Sequence, residues 1–372
     1  MVPNSHTDHL IHGNRTSPFF KFFYPSLFIP VIFFCTCSFA QQHPDRTMIN
    51  KLKGELPFAK GSSLPDHLNS LSELYWWFPR PNPDSIFIYA RQAYTESSRN
   101  NYLPGLSRSL LNLGVSELYK RNYPSAESYL HQGINLSERI HDNITSGWSY
   151  LYLGWVLFLK NDYIHAEDAY KKSATYFQEA GEDEGKGRIC AYRSILYTAM
   201  GDYGKGFEYC HSSLQVREKM NDRVCILFSY KNFGNLYKAA GDYETALEYY
   251  RKSLQYAKVH KIDWDEDEEI GTIYCRMNNM DSSFYYLRQS LNKYPEDPNI
   301  WLSLSETYLA HKDYDSALKI SLLLINSYRE SNDRFHLMSA YLDAGKANAE
   351  LKNDFLALKY TLEGLSLARQ AG

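Results

Sequence analysis

The sequence predicts an all-α protein, an α-solenoid of about eight antiparallel helix pairs. Three observations predict it: small residues recur at a fixed interval, a second small residue follows each one, and a tyrosine stands between them. Upstream of Gly234 the small residues Ser194, Gly154 and Gly114 lie in steps of 40. Twelve residues after each of the four stand Ala246, Gly206, Ala166 and Ala126, and nine residues after each stand Tyr243, Tyr203, Tyr163 and Tyr123. Downstream the pattern continues as Gly271/Ser283, Ser305/Ala317 and Gly345/Ala357, in steps of 37, 34 and 40. Self-similarity at such a period marks a stacked array of supersecondary units.

One unit shows the physics. Tyr230 to Leu254 reads as two amphipathic helical segments broken at Ala240-Gly241-Asp242-Tyr243. Helices cross closely only where neither carries bulk, so Gly234 and Ala246 are expected to be the contact point of an antiparallel pair. Tyr230, Tyr237, Tyr243 and Tyr250 are spaced to fill the space around that contact. The 32 tyrosines of the chain find their use there. Of its 14 prolines, 11 precede Leu106, and none occurs from Ser125 to Lys293, as continuous helices require.

These residues resemble the tetratricopeptide repeat family, whose motif runs from a bulky residue through Leu-Gly and Tyr to a later Ala. Trp301, Leu304, Tyr308, Tyr314 and Ala317 match it in one unit, and Leu113-Gly114 and Leu153-Gly154 supply the Leu-Gly pair in two others. The resemblance covers about residues 68 to 371 and implies a right-handed superhelix. Arg193 stands where Leu is usual, Met280 replaces the turn tyrosine, and Phe355 is displaced by one position. A period of 40 exceeds the family's usual length of about 34 and implies longer helices or longer connections.

In chain order, residues 1–40 are expected to be a signal peptide. A polar start with Arg15 and Lys21 leads into the apolar run Phe22–Phe39, which ends Ser38-Phe39-Ala40 before Gln41-Gln42. The competing reading is a retained membrane anchor, since 18 largely apolar residues approach spanning length; Pro25 and Pro30 argue for cleavage after Ala40. The chain is therefore expected to be exported, to a periplasmic or extracellular location, with N-terminal membrane anchoring as the alternative. Residues 41–66, polar with scattered Gly and Pro, read as a linker, and 67–372 as the solenoid.

The expected repeats span about 68–100, 107–140, 147–180, 187–220, 227–260, 264–297, 298–331 and 338–371. The first is degenerate, with a helix Leu71–Phe78 whose Trp76 and Trp77 are expected to close the end, and a second helix opened by Asn82-Pro83-Asp84-Ser85. The last helix carries Leu356, Leu358, Leu362, Leu365 and Leu367 and does not turn a polar face outward. That apolar end predicts a partner or self-association there.

Composition excludes several functions. Net charge is −3, and −4 after removal of residues 1–40, so nothing argues for nucleic acid. No His-x-x-x-His or Cys-x-x-Cys pair occurs beyond residue 40, no glycine-rich phosphate loop appears, and His131, His165, His211, His260, His311 and His336 fall at unrelated repeat positions. No catalytic residue, metal site or cofactor is expected. The acidic run Asp263–Glu269 fails as a calcium loop because Glu268 stands where glycine is needed and Tyr274 where the bidentate Glu belongs. Its acids suit a helix start instead. Cys190 and Cys210 lie on facing helices and are expected to be free thiols packed as small hydrophobes.

The resemblance implies that the first helix of each pair lines a concave surface for a protein or peptide ligand. The inward positions it implies are Asn112, Tyr152, Trp155, Arg188, Tyr192, Lys231, Asn232 and Asn235. No paired Lys and Asn clamp for a terminal carboxylate is present. The signal segment, linker and 40-residue repeats also resemble the exported sensor region of bacterial tetratricopeptide-containing histidine kinases and regulators. The alternative function is thus a detached sensor or regulatory subunit of a signalling system.

Overall fold

A computed structural model describes residues 46–76, 82–262, 264–329 and 334–371, all of them in a single unit. Among these residues there are 17 α-helices and no strand. Residues 1–40, expected to be a signal peptide, lie outside them. Eight antiparallel pairs follow one another: α2 (Ser63–Trp76) with α3 (Pro83–Arg99), α4 (Leu103–Tyr119) with α5 (Tyr123–Arg139), α6 (Asn143–Leu159) with α7 (Tyr163–Ala180), and α8 (Asp183–Ala199) with α9 (Tyr203–Lys219). Then come α10 (Arg223–Ala240) with α11 (Tyr243–His260), α12 (Asp267–Arg276) with α13 (Met280–Lys293), α14 (Pro298–Ala310) with α15 (Tyr314–Tyr328), and α16 (Arg334–Glu350) with α17 (Asp354–Ala371). Each helix packs on the next, and first helices of neighbouring pairs also touch. This is an α-solenoid.

The segment expected to be a linker, 41–66, is mostly helical from Arg46 onward. Helix α1 (Arg46–Glu55) and a short 3-10 turn pack Ile49, Leu52 and Leu56 on Leu71 and Leu74 of α2. Helix α2 itself begins at Ser63, eight residues before the expected Leu71. Trp77 and Phe78 lie outside the described residues.

The long period has a simple origin. From Asn101 to Lys261 the chain turns every 20 residues, at Asn101, Arg121, His141, Asn161, Gly181, Gly201, Asn221, Gly241 and Lys261, each with positive φ. One left-handed residue ends a helix, and the next N–H reaches back five residues, as Asp162 does to the Leu157 carbonyl at 2.9 Å. The same Asp162 caps the following helix through the His165 N–H, and Asp142, Asp202, Asp222 and Asp242 repeat the device. Helices of 17 or 18 residues with turns of two or three residues make the 40-residue unit, so the helices are longer and the connections are not. Pairs α12/α13 and α14/α15 are compact because α12 has 10 residues and α14 has 13.

The small anchors work by admitting a large side chain. A Cβ on Gly114 would stand 2.7 Å from Leu130, one on Gly234 2.7 Å from the Tyr250 ring, and one on Gly271 2.8 Å from Leu287. In every case the intruder is 16 residues after the anchor. The close neighbour of Gly234 is therefore Tyr250 rather than Ala246. Serine anchors replace the void by a hydrogen bond: Ser194 Oγ donates to the Gly206 carbonyl at 2.8 Å, and Ser305 Oγ lies 3.1 Å from Ser321 Oγ.

Arg193, at the position where Leu is usual, is explained by its partner. Its Nε donates to Glu167 Oε2 at 3.1 Å, its Nη2 bonds Glu167 Oε1, and its guanidinium covers the Tyr209 ring at 4.2 Å. The Tyr197 hydroxyl completes the carboxylate at 3.0 Å. A polar link thus joins α7 to α8 where apolar contact is usual.

Candidate functional site

The first helices repeat one register, in which the positions six, three and two before each anchor and one after it recur every 40 residues. At anchor minus six the row carries Arg108, Trp148 and Arg188. At anchor minus two it carries Asn112, Tyr152, Tyr192 and Asn232. Repetition of register is what brings them together.

Tyr152, Trp155, Arg188 and Tyr192 belong to one buried cluster over α2, α6 and α8. Tyr152 packs its ring 5.0 Å from Trp76 and 6.4 Å from Trp148. Trp155 meets Tyr192 edge-on at 4.9 Å and stacks on Phe158 at 4.8 Å. The Arg188 guanidinium lies 5.1 Å from the Trp148 ring centroid while Nη2 bonds Glu184 Oε1 at 3.0 Å. A cation held between a carboxylate and an indole face is compensated twice over. Burial pushes the Tyr119, Tyr152 and Tyr192 hydroxyls well up from their ordinary value, so all three stay protonated donors. Next along, burial brings the Arg217 guanidinium down to about 10, helped by the like charge of Arg188.

The remaining expected residues sit apart. Asn112 is buried and donates to Asn69 Oδ1 at 3.1 Å, while the neighbouring Arg108 pairs with Glu73 through both nitrogens. Lys231 is also buried and bridges Glu266 at 3.2 Å and Glu269 at closer range. Asn235 accepts the Tyr250 hydroxyl at 2.6 Å and so faces its own pair partner. Asn232 on α10 is half-buried.

The row therefore has two parts, an aromatic-arginine cluster and an ionic one. In the second, Glu266 Oε1 takes the Trp264 indole N–H at 2.7 Å and the Ser253 hydroxyl at 3.1 Å, so the acidic run is built into the joint between α10, α11 and α12. Burial raises Glu266 to about 7, Glu268 to about 8 and Asp267 to about 6, while Lys231 holds Glu269 below its ordinary value. Among the described residues no group of three or more His, Cys, Asp or Glu side chains could hold a metal ion. Cys190 and Cys210 are free thiols, and burial pushes both up, which keeps them unreactive. Among the described residues no helix is long and apolar enough to cross a membrane.

Sequence reasoning missed Trp76, Tyr119 and Trp148. Trp148 stands 40 residues before Arg188, so a search at anchor minus six would have found it. Trp76 had been expected to close the N-terminal end, and it instead reaches two pairs along the row to Trp148 and Tyr152.

A family model described as tetratricopeptide repeat matches residues 105–179 and 188–258. BBSome complex member BBS4 of Bos taurus is 22% identical over 231 residues, 55% of this chain and 42% of that one, so the chain spans less than half that relative's length. Among solved structures, a Rap protein complexed with competence and sporulation factor superposes with a TM-score of 0.57 at 12% identity, covering 88% of this chain and 98% of that one. The apo quorum sensor NprR of B. thuringiensis gives 0.57 at 13% identity, covering 87% and 93%. A Rap conjugation gene regulator in complex with the Phr* peptide gives 0.56 at 11%, covering 87% and 95%. At such identities the likeness is one of fold.

Proposed function

We propose that this chain, whose residues 105–179 and 188–258 match the tetratricopeptide repeat model, is an exported, non-enzymatic scaffold that binds a protein or peptide along its first-helix row. The fold itself is that of an interaction scaffold, and protein or peptide partners in general follow from it. The observation that supports the finer reading is the register of the first helices; Asn112, Tyr152, Trp155, Arg188, Tyr192 and Lys231 are buried and hold that register, and Asn232 is the half-buried member of the expected set left to meet a ligand. An amide group on a rigid array offers hydrogen bonds to a peptide backbone at low entropic cost. Two fold neighbours, a Rap protein with competence and sporulation factor and a Rap regulator with the Phr* peptide, are themselves complexes.

Export to a periplasmic or extracellular location rests on the sequence of residues 1–40, with retention as an N-terminal anchor the alternative. The second reading, a detached sensor or regulatory subunit of a bacterial signalling system, rests on the order of signal segment, polar segment and 40-residue repeats.

The test selects ligands from a random peptide library displayed against the full chain and measures the enriched peptides by titration. Asn232→Ala is the informative variant because the side chain is half-buried, unlike the other first-helix residues of the cluster. Selected peptides should lose at least tenfold in affinity to it. Peptides that bind wild type and Asn232→Ala alike would place the ligand elsewhere.

A further inference from the structure

The array touches itself between repeats that are far apart in the chain. The guanidinium of Arg121, in the turn between α4 and α5, lies over the Phe335 ring at the start of α16, 5.3 Å from its centroid. Five complete pairs, α6 to α15, stand between the two in the chain. In a file of antiparallel pairs, the turns within pairs gather on one rim and the turns between pairs on the other. Arg121 belongs to the first rim, and Phe335, which opens a first helix, belongs to the second. Opposite rims meet where one turn of a superhelix comes round upon the next.

Both partners depart from the series they belong to. Arg121 has a φ of 58°, in the left-handed region that suits Gly or Asn better than a long side chain. The same turn in the next four pairs carries Asn161, Gly201, Gly241 and Asn278. Phe335 stands ten residues before the anchor Gly345, where α4, α6, α8 and α10 carry Pro104, Ile144, Glu184 and Val224. The long cation and the aromatic ring thus enter their registers at the two points that face each other. Each is braced by its own neighbourhood. Lys120 pairs with Asp84 at 2.9 Å and covers the Phe87 ring at 4.7 Å. His336 sits edge-on to Phe335 at 5.3 Å, with Nε2 2.9 Å from Asn299 Oδ1.

We propose that Arg121 and Phe335 form a latch that clasps one turn of the superhelix to the next and keeps the array wound. Each pair of a solenoid is held chiefly by its neighbours, so small rotations add up along five pairs and the rims can part. A contact between the rims opposes that sum directly. Both side chains are half-buried, and a cation over a ring in such a place is a weak bond. The latch therefore biases winding without locking it. It acts whether or not a ligand occupies the first-helix row.

Single-molecule energy transfer on the full chain tests it, with dyes carried by unnatural amino acids at the exposed Ser128 of α5 and Ser366 of α17. Wild type should show a major near population and a minor far one. Arg121→Asn keeps the left-handed turn and Phe335→Leu keeps an apolar side chain. Each should raise the far-to-near ratio roughly two- to fivefold, the range that a cation over an exposed ring supplies. Together they should raise it no further than either alone, since both break one contact. Arg121→Lys, which keeps the cation, should stay near wild type. Lys312→Asn, at the left-handed turn between α14 and α15, should leave the ratio unchanged. A ratio that Arg121→Asn does not move overturns the latch, as do effects that multiply in the double variant.

Discussion

Gly154 and Tyr170 occupy the same space: a Cβ on Gly154 would stand 2.5 Å from Tyr170 Cε1 and 3.2 Å from the Ala166 carbonyl. The ring cannot simply swing aside, because Tyr170 is fully buried and packs on Tyr192 at 6.0 Å. Gly154→Ala should destabilise the protein by about 1–3 kcal/mol through overpacking. Urea unfolding measures it. The second substitution Tyr170→Leu, which gives the pairing seen at Gly114 and Leu130, should cost less on the Gly154→Ala background than alone.

Glu167 and Arg193 form a coupled pair across α7 and α8. Arg193→Leu leaves a part-buried carboxylate with only tyrosine and distant lysine help, and should be clearly destabilising. Glu167→Leu combined with Arg193→Leu should recover most of the loss, since an apolar pair of similar volume serves as well as a buried ion pair. A double-mutant cycle by urea unfolding should give a coupling of at least about 1 kcal/mol. Strict additivity of the two single changes would contradict this account of Arg193.

Stability should fall as pH rises from about 5 to 8, from the directions of the shifts. Burial raises Glu266 and Asp343 to about 7 and Glu268 to about 8. Folded protein then holds protons that the unfolded chain releases near pH 4 to 5, so ionisation through this window costs the fold. Asp343→Asn removes one such group, which is 4% exposed and faces Lys346 at 3.5 Å. The variant should gain melting temperature relative to wild type at pH 8 and little at pH 5. An equal difference at both values would rule out Asp343 as a source of the slope.

Trp155→Ala should unfold the protein at lower urea rather than act as a clean binding variant. Trp155 is buried against Tyr192 and Phe158, and truncation of a buried aromatic costs about 3–5 kcal/mol. A Trp155→Ala protein as stable as wild type would show that the ring is not a packing element.

Much of the fold was legible because a close helix crossing allows only small residues, and Gly114, Gly154 and Gly234 declare it. The residue each anchor accommodates was not legible. It is Leu130, Tyr170, Cys210, Tyr250 or Leu287 by turns, and only coordinates reveal the common spacing of 16. Helix α1 was hidden by the polar composition around it. At the candidate site, the family resemblance implied Tyr152, Trp155, Arg188 and Tyr192, which the structure brings together in one buried cluster. It could not show that Lys231 answers Glu266 and Glu269, or that Asn235 turns to Tyr250, because those partners lie on neighbouring elements at unrelated spacings.

Hydrogen exchange read by mass spectrometry, with and without a selected peptide, tests the binding row most directly. The account predicts added protection in first helices α6, α8 and α10, with second helices α5, α7 and α9 unchanged. Protection confined to the second helices, with the first helices exchanging as before, would contradict it.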